Sequence, residues 1–320
     1  MDKYLKIILA AGCIALAASC EKTQEPAPAA SRLVPVQVSL SGAGEDAPTR
    51  YPRNAALKPE EENWIWDYYY IQFNSKGIAL VSGHRRADVE AGDLVVSDEI
   101  DLYNESGSTV VFIANISPKG ATYGDDPLWK SPDGVVSITD NLPSFQKMKF
   151  DMSKRIEAAL NGTLRHMPMS GYWTGDVDGS SDFRISVSMG RMVSRINLNF
   201  MNASDRDLSK VTLRNVSKKA YLFPQVTNAP LEAGDYMEIV YNVDGSNQDV
   251  HIRPNQSRTL VFYSAPNFCG GSDRATDLVV KMGGSSGQLL SPLKLGDDPA
   301  GGDYNLYKNT TYNFNITVTL

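Results

Sequence analysis

Cys20 is the residue whose surroundings point most directly to a reaction. Lys3 and Lys6 precede an apolar run over residues 7–18, and the run closes on Leu16-Ala17-Ala18-Ser19-Cys20. That is a secretory signal whose cleavage site places a thiol where a lipid is attached. The run is too short to cross a bilayer as a helix, which takes about 20 apolar residues. Cys13 also follows small residues, but processing there would leave an apolar core of only about six residues, below the usual 7–15. Cys20 is therefore the acylation candidate, with residues 1–19 as the signal peptide.

Other reactive residue types are sparse. His84, His166 and His251 lie far apart and in no zinc-protease spacing, and no G-x-S-x-G elbow or P-loop accompanies them. Asp176, Asp178 and Asp182 around Gly179 resemble a calcium loop. The twelfth position, where a bidentate Glu is required, is Val187. Asp and Gly gather in turns for backbone reasons, and a turn is the favoured reading. Beyond Cys13 and Cys20 the only cysteine is Cys269, which excludes a disulfide framework and a cysteine–histidine zinc site. Trp64, Trp66, Trp129 and Trp173 have the ring area to stack on sugars, and Trp64 and Trp66 would share one strand face. Core filling is the favoured use of such rings, with Trp64 and Trp66 kept as candidate ligand contacts. No catalytic set, metal site or cofactor is expected.

The elements that would carry these residues are almost all strands. Residues 21–31 are a polar, Pro/Ala-rich tether. Val34, Val36, Val38 and Leu40 then alternate with Pro35, Gln37 and Ser39, the period of a half-buried strand. Residues 41–62 are polar and contain Arg50 and Arg53, in a stretch where backbone nicking is easiest.

Strands are expected over 65–73, 78–82, 94–102 and 109–114, with turns at 74–77 and 104–107. Phe145, Met148, Met152, Ile156, Ala159 and Leu160 share a helical face and read as core contacts of one short helix. The polar, turn-rich stretch 175–182 is the candidate boundary. Strands around 196–200, 211–216, 236–243, 258–264 and 277–282 follow, and residues 312–320 alternate strictly. Many short strands between turns predict an all-β chain of two tandem β-sandwiches, residues 51–180 and 181–320. Residues 20–50 would hold the lipidated cysteine, tether and first strand. A composition of 42% hydrophobic and 21% charged residues is globular, and a net charge of −6 argues against nucleic acid.

Five segments together resemble the fimbrillins of Bacteroidetes-type (type V) pili. Residues 66–77 (WDYYYIQFNSKG) look like the first-domain strand with its Phe-polar-x-Gly turn, and 110–115 (VVFIAN) like the strand closing on Ala-Asn. Met167-Pro168-Met169-Ser170-Gly171 is similar to the Pro-Met-Ser-Gly signature near the end of the first domain. Residues 191–197 (RMVSRIN) resemble the strand opening the second, and 307–312 (YKNTTY) the entry to the last core strand.

The resemblance implies transthyretin-like sandwiches, export as an outer-membrane lipoprotein and assembly into a cell-surface fimbrium. It also implies an Arg-specific protease that removes the leader with the first strand, with Arg50 the first choice for the cut and Arg53 the second; Arg32 precedes the strand, so a cut there would only free the chain from its lipid. Other pilus subunits would then be partners through strand insertion, and a host or bacterial surface ligand a further partner. The family's stalk subunits carry a donor segment after the last core strand, whereas this sequence stops at Leu320. That points to a tip or minor subunit. The competing expectation is an anchored glycan-binding surface lipoprotein that keeps its first strand and uses Trp64 and Trp66.

Overall fold

A computed structural model describes residues 32–42, 62–86, 94–116, 141–160, 167–223, 231–242, 250–269, 271–283 and 287–319. The first half comprises β1 (Leu33–Gly42), β2 (Asp67–Phe73), β3 (Ala79–Arg86), β4 (Val95–Tyr103), β5 (Glu105–Ala114), β6 (Lys149–Asp151), β7 (Met169–Val177) and β8 (Arg184–Arg191). The second half adds β9 (Ser194–Asn202), β10 (Leu208–Ser217), β11 (Lys219–Tyr221), β12 (Tyr236–Asn242), β13 (Ser257–Ser264), β14 (Asp277–Met282), β15 (Gln288–Leu289), β16 (Leu293–Lys294) and β17 (Thr311–Val318). Among the described residues the fold is all-β, with only short helices.

Seven strands form one sheet in the order β3-β2-β5-β7-β8-β1-β4. Its two ends come together. Tyr68 of β2 donates its hydroxyl to Asp98 of β4 at 2.7 Å, and one buried apolar cluster draws on β1, β2, β4, β5, β7 and β8. The sheet therefore wraps around its own core as a sandwich. The fold line is the β7–β8 junction, where pairing is confined to Met169↔Arg191 and Ser170↔Gly190. Gly171 sits in this corner because a Cβ there would lie 2.6 Å from Cγ1 of Val187.

β2 and β5 are buried on both faces. Tyr68, Tyr70, Val110 and Phe112 point into the first core. Tyr69, Ile71, Phe73, Val111 and Ile113 point the other way, into a second and larger core. This is why the YYYIQF run shows no polar alternation. The second core fills the space between the sheets β12-β10-β14-β15 and β13-β9-β17 and extends under both helices. β17 lies in its own sheet, parallel to β9 from Thr311↔Arg195 to Val318↔Asn202.

One sheet continues across the candidate boundary, and the single-helix expectation is corrected. The stretch 175–182 joins β7 to β8, both strands of the first sheet, and the chain passes to the second group of sheets at Met192 and Val193. The turn chemistry there is real: Asp178 accepts from Ser180 N–H at 2.8 Å, and Asp176 accepts from Gly107 N–H at 2.7 Å. A loop of that composition simply joins strands within a sheet as readily as between domains. Likewise the helical stripe over 145–160 is interrupted. Leu142–Phe145 and Ser153–Leu160 are helices, but between them β6 pairs with β11. Met148 falls in the interruption and is exposed, while Phe145, Met152, Ile156, Ala159 and Leu160 are buried. Tertiary pairing has overridden helical periodicity there.

Candidate functional site

β1 has the burial its alternation requires. Val34, Val36, Val38 and Leu40 are at most 3% exposed, while Leu33 and Pro35 face solvent. The strand is inserted between two others. On one side it runs antiparallel to β4, placing Val34 opposite Leu102, Val36 opposite Ile100 and Leu40 opposite Val96. On the other it runs parallel to β8, with Val38 opposite Ile185 and Leu40 opposite Val187. Pairing with β8 starts only at Gln37, so Pro35, which has no N–H to donate, falls where β1 has a single neighbour among the described residues.

The seat of β1 is thus a slot with β4 and β8 as its walls and Tyr68, Tyr70 and Phe112 of the facing layer in the same core. Among the described residues β4 pairs within the sheet with β1 alone. It has a second set of ties that do not pass through β1. Buried Gln72 of β2 donates from Nε2 to the Tyr103 carbonyl at 2.8 Å and accepts from Tyr103 N–H at 2.7 Å. That amide stands in for one rung of a β-ladder. Tyr68 supplies the other tie through Asp98, and burial together with that hydrogen bond pushes its phenol pKa well up.

A charged cluster lies where the chain returns from residues 43–61. Glu62, fully buried, receives Nη1 of Arg191 on one carboxylate oxygen and Nη1 of Arg195 on the other. Tyr263 Oη donates to the same carboxylate at 2.8 Å, and Arg195 Nε donates to Asn197 Oδ1 at 3.1 Å. Arg191 ends β8, Arg195 is in β9 and Tyr263 in β13, so Glu62 bridges the two groups of sheets. The departing end is close by: a Cβ on Gly42 would meet the carbonyl oxygen of Asn63 at 2.2 Å. Gly42 and Asn63, the described residues on either side of 43–61, therefore lie side by side. Cys20, Arg50, Arg53, Trp129 and His166 lie outside the described residues.

Trp64 and Trp66 do not share a strand face, because β2 begins at Asp67. Both are half-buried, and Asn115 occupies the place of a partner strand: its side chain donates to Trp64 O at 2.7 Å and accepts from Trp66 N–H at 2.9 Å. Trp173 packs edge-on against Phe183. His84 stacks on Tyr69 and contacts Asp67, and His251 contacts Asp207. Among the described residues no group of His, Cys, Asp or Glu is arranged to hold a metal ion, and no helix is long and apolar enough to cross a membrane.

These features define an all-β chain of packed sheets with its first strand inserted between two later ones. Solved structures of the same build cover nearly the whole chain. A candidate cell adhesion protein from Parabacteroides distasonis matches with TM-score 0.58 and 18% identity, over 89% of this chain and 88% of that one. The tip fimbrial protein Mfa3 from Porphyromonas gingivalis, with C-terminal truncation, matches with TM-score 0.56 and 14% identity, over 90% and 95%. A candidate cell adhesion protein from Bacteroides eggerthii matches with TM-score 0.58 and 13% identity, over 91% and 87%. At these identities the likeness is one of fold. It agrees with the fimbrillin resemblance of the sequence motifs. No family model and no curated protein matches the sequence.

Proposed function

We propose that this chain is a structural, adhesive subunit of a cell-surface fimbria, of tip or minor type, without enzymatic activity. In this reading it is exported as a lipoprotein on Cys20, an Arg-specific protease cuts at Arg50 or Arg53, and β1 leaves. A strand from another subunit then occupies the slot between β4 and β8. The observation that carries the reading is the position of β1, covalently attached only through residues 43–61 yet paired on both edges.

Energetics support replacement over simple loss. Four buried side chains at about 1.5–3 kcal/mol each contribute about 6–12 kcal/mol of gross burial. A native domain has only about 5–15 kcal/mol of net stability. An empty slot also exposes two strand edges, which an added strand can pair. The ties from Gln72 and Tyr68 keep the β4 wall in place while the slot changes occupant.

The test is limited digestion of residues 21–320 with an Arg-specific protease, read by intact mass. One dominant cut after Arg50 or Arg53, followed by exchange of β1 for an added synthetic copy of residues 32–42, is the expected result. Scattered cuts with residues 43–61 intact would make β1 permanent and favour an anchored surface lipoprotein.

A further inference from the structure

The second core opens into a cavity of about 190 Å³ that the pilus reading does not use. Its walls include Tyr221, Phe223, Phe268 and Tyr307, with two lysines, Lys219 and Lys308, among them. Phe268 and Tyr307 meet edge to face at 5.5 Å, and both line the space. None of these residues belongs to the core that β1 completes.

The two lysines differ. Lys219 is committed to Asp151 at 2.9 Å. Lys308 has no ion pair among the described residues, and burial alone pushes its pKa down to about 8. Lys308 is half-buried in the lining of the same cavity as these rings, and no carboxylate among the described residues pairs with it. Desolvation penalises such a charge until an anion meets it. The volume sets the size of what could bring one: an apolar cavity of about 150 Å³ takes one benzene ring. A ring with one carboxylate fits the remaining space.

We propose that this cavity is a binding site for a small amphipathic monocarboxylate, its apolar body between Phe223, Phe268 and Tyr307 and its carboxylate on Lys308. The ring faces supply apolar contact and the ammonium supplies orientation, the usual division of labour in a small-molecule site. Because the site lies outside the β1 core, it is open to ligand whether or not β1 has been replaced.

Benzoate is the probe and benzyl alcohol its neutral counterpart, titrated by ligand-observed NMR into the full exported chain. Benzoate is expected to bind. Lys308→Met, which keeps the stem and removes the charge, should weaken benzoate about tenfold or more, the scale of one charge-assisted hydrogen bond. Benzyl alcohol should be little affected by the same change. A second measurement needs no variant: mass-mapped acetylation of Lys308 in the wild-type chain should slow when benzoate is present. Absence of benzoate binding, equal affinity in Lys308→Met, or unprotected Lys308 would each overturn the assignment.

Discussion

Replacing Glu62 by alanine should destabilise the chain more than the loss of any exposed ion pair. In the native structure its carboxylate is met by Arg191, Arg195 and the hydroxyl of Tyr263, and the two arginines are 2% and 3% exposed. Glu62→Ala leaves two guanidinium groups buried without their carboxylate. Removing one partner of a buried pair costs about 3–5 kcal/mol, because the surviving charge remains desolvated. The assay is urea unfolding of residues 21–320, comparing midpoints at unchanged slope. Glu62→Gln keeps an acceptor for Tyr263 and should fall between wild type and Glu62→Ala. Glu62→Ala with Arg195→Met should recover part of the loss, since one stranded charge goes with its partner. A loss below about 1 kcal/mol for Glu62→Ala, the range of exposed pairs, would refute the bridging role.

Three further outcomes are expected. Leu40→Ala should cost about 2–5 kcal/mol in the uncut chain, and nothing once β1 has been cut away and replaced by another strand; a persistent loss in the refilled form contradicts strand replacement. Gly171→Ala should lower the thermal midpoint by an overpacking cost of about 1–3 kcal/mol, since its Cβ would meet Val187 Cγ1 at 2.6 Å and Met189 Sδ at 2.9 Å; an unchanged midpoint rules the corner contact out. Burial alone would raise the pKa of Asp151, but hydrogen bonds from Ser153 and Lys219 and the Lys219 charge bring it to about 2 from 3.8. A depressed folded value means its stabilising contribution is complete above about pH 4 and is lost as pH falls through about 2; a carboxyl NMR titration with its midpoint near 4 contradicts this.

What could be read from the sequence was whatever a local period encodes. Val34 to Leu40 and residues 311–318 alternate because one face of each is buried, and both are strands in the structure. β2 could be recognised as a strand by its aromatic and β-branched run, although its burial on two faces depends on the second core, which no local pattern shows. Pairing partners were hidden for a different reason. β8 lies beside β1 although the two are far apart in sequence, so a polar turn at 175–182 reads the same whether it ends a domain or bends a sheet. The Glu62 cluster is the extreme case. The basic residues flanking Met192 and Val193 were visible as RMVSRIN, but their carboxylate lies 129 and 133 positions away. The aromatic cavity was invisible for the same reason, since Tyr221 ends β11 while Phe268 and Tyr307 lie in two separate connections.

The two edges of the slot have opposite character, and this gives any polymer built through it a direction. β1 meets β8 in parallel and β4 in antiparallel register, so its two sides present differently slanted hydrogen bonds. A guest strand entering backwards would have to meet β8 antiparallel and β4 parallel, against rungs spaced for the reverse. Only one heading matches both edges at once. Under the proposed strand replacement every joint would repeat the same heading, so subunits would follow one another head to tail and the contact would never become self-complementary. Such a chain has two unlike termini: one with a slot still to be filled, the other with a strand still to be placed. Growth and arrest then become separate events, set by which terminus a newcomer can reach.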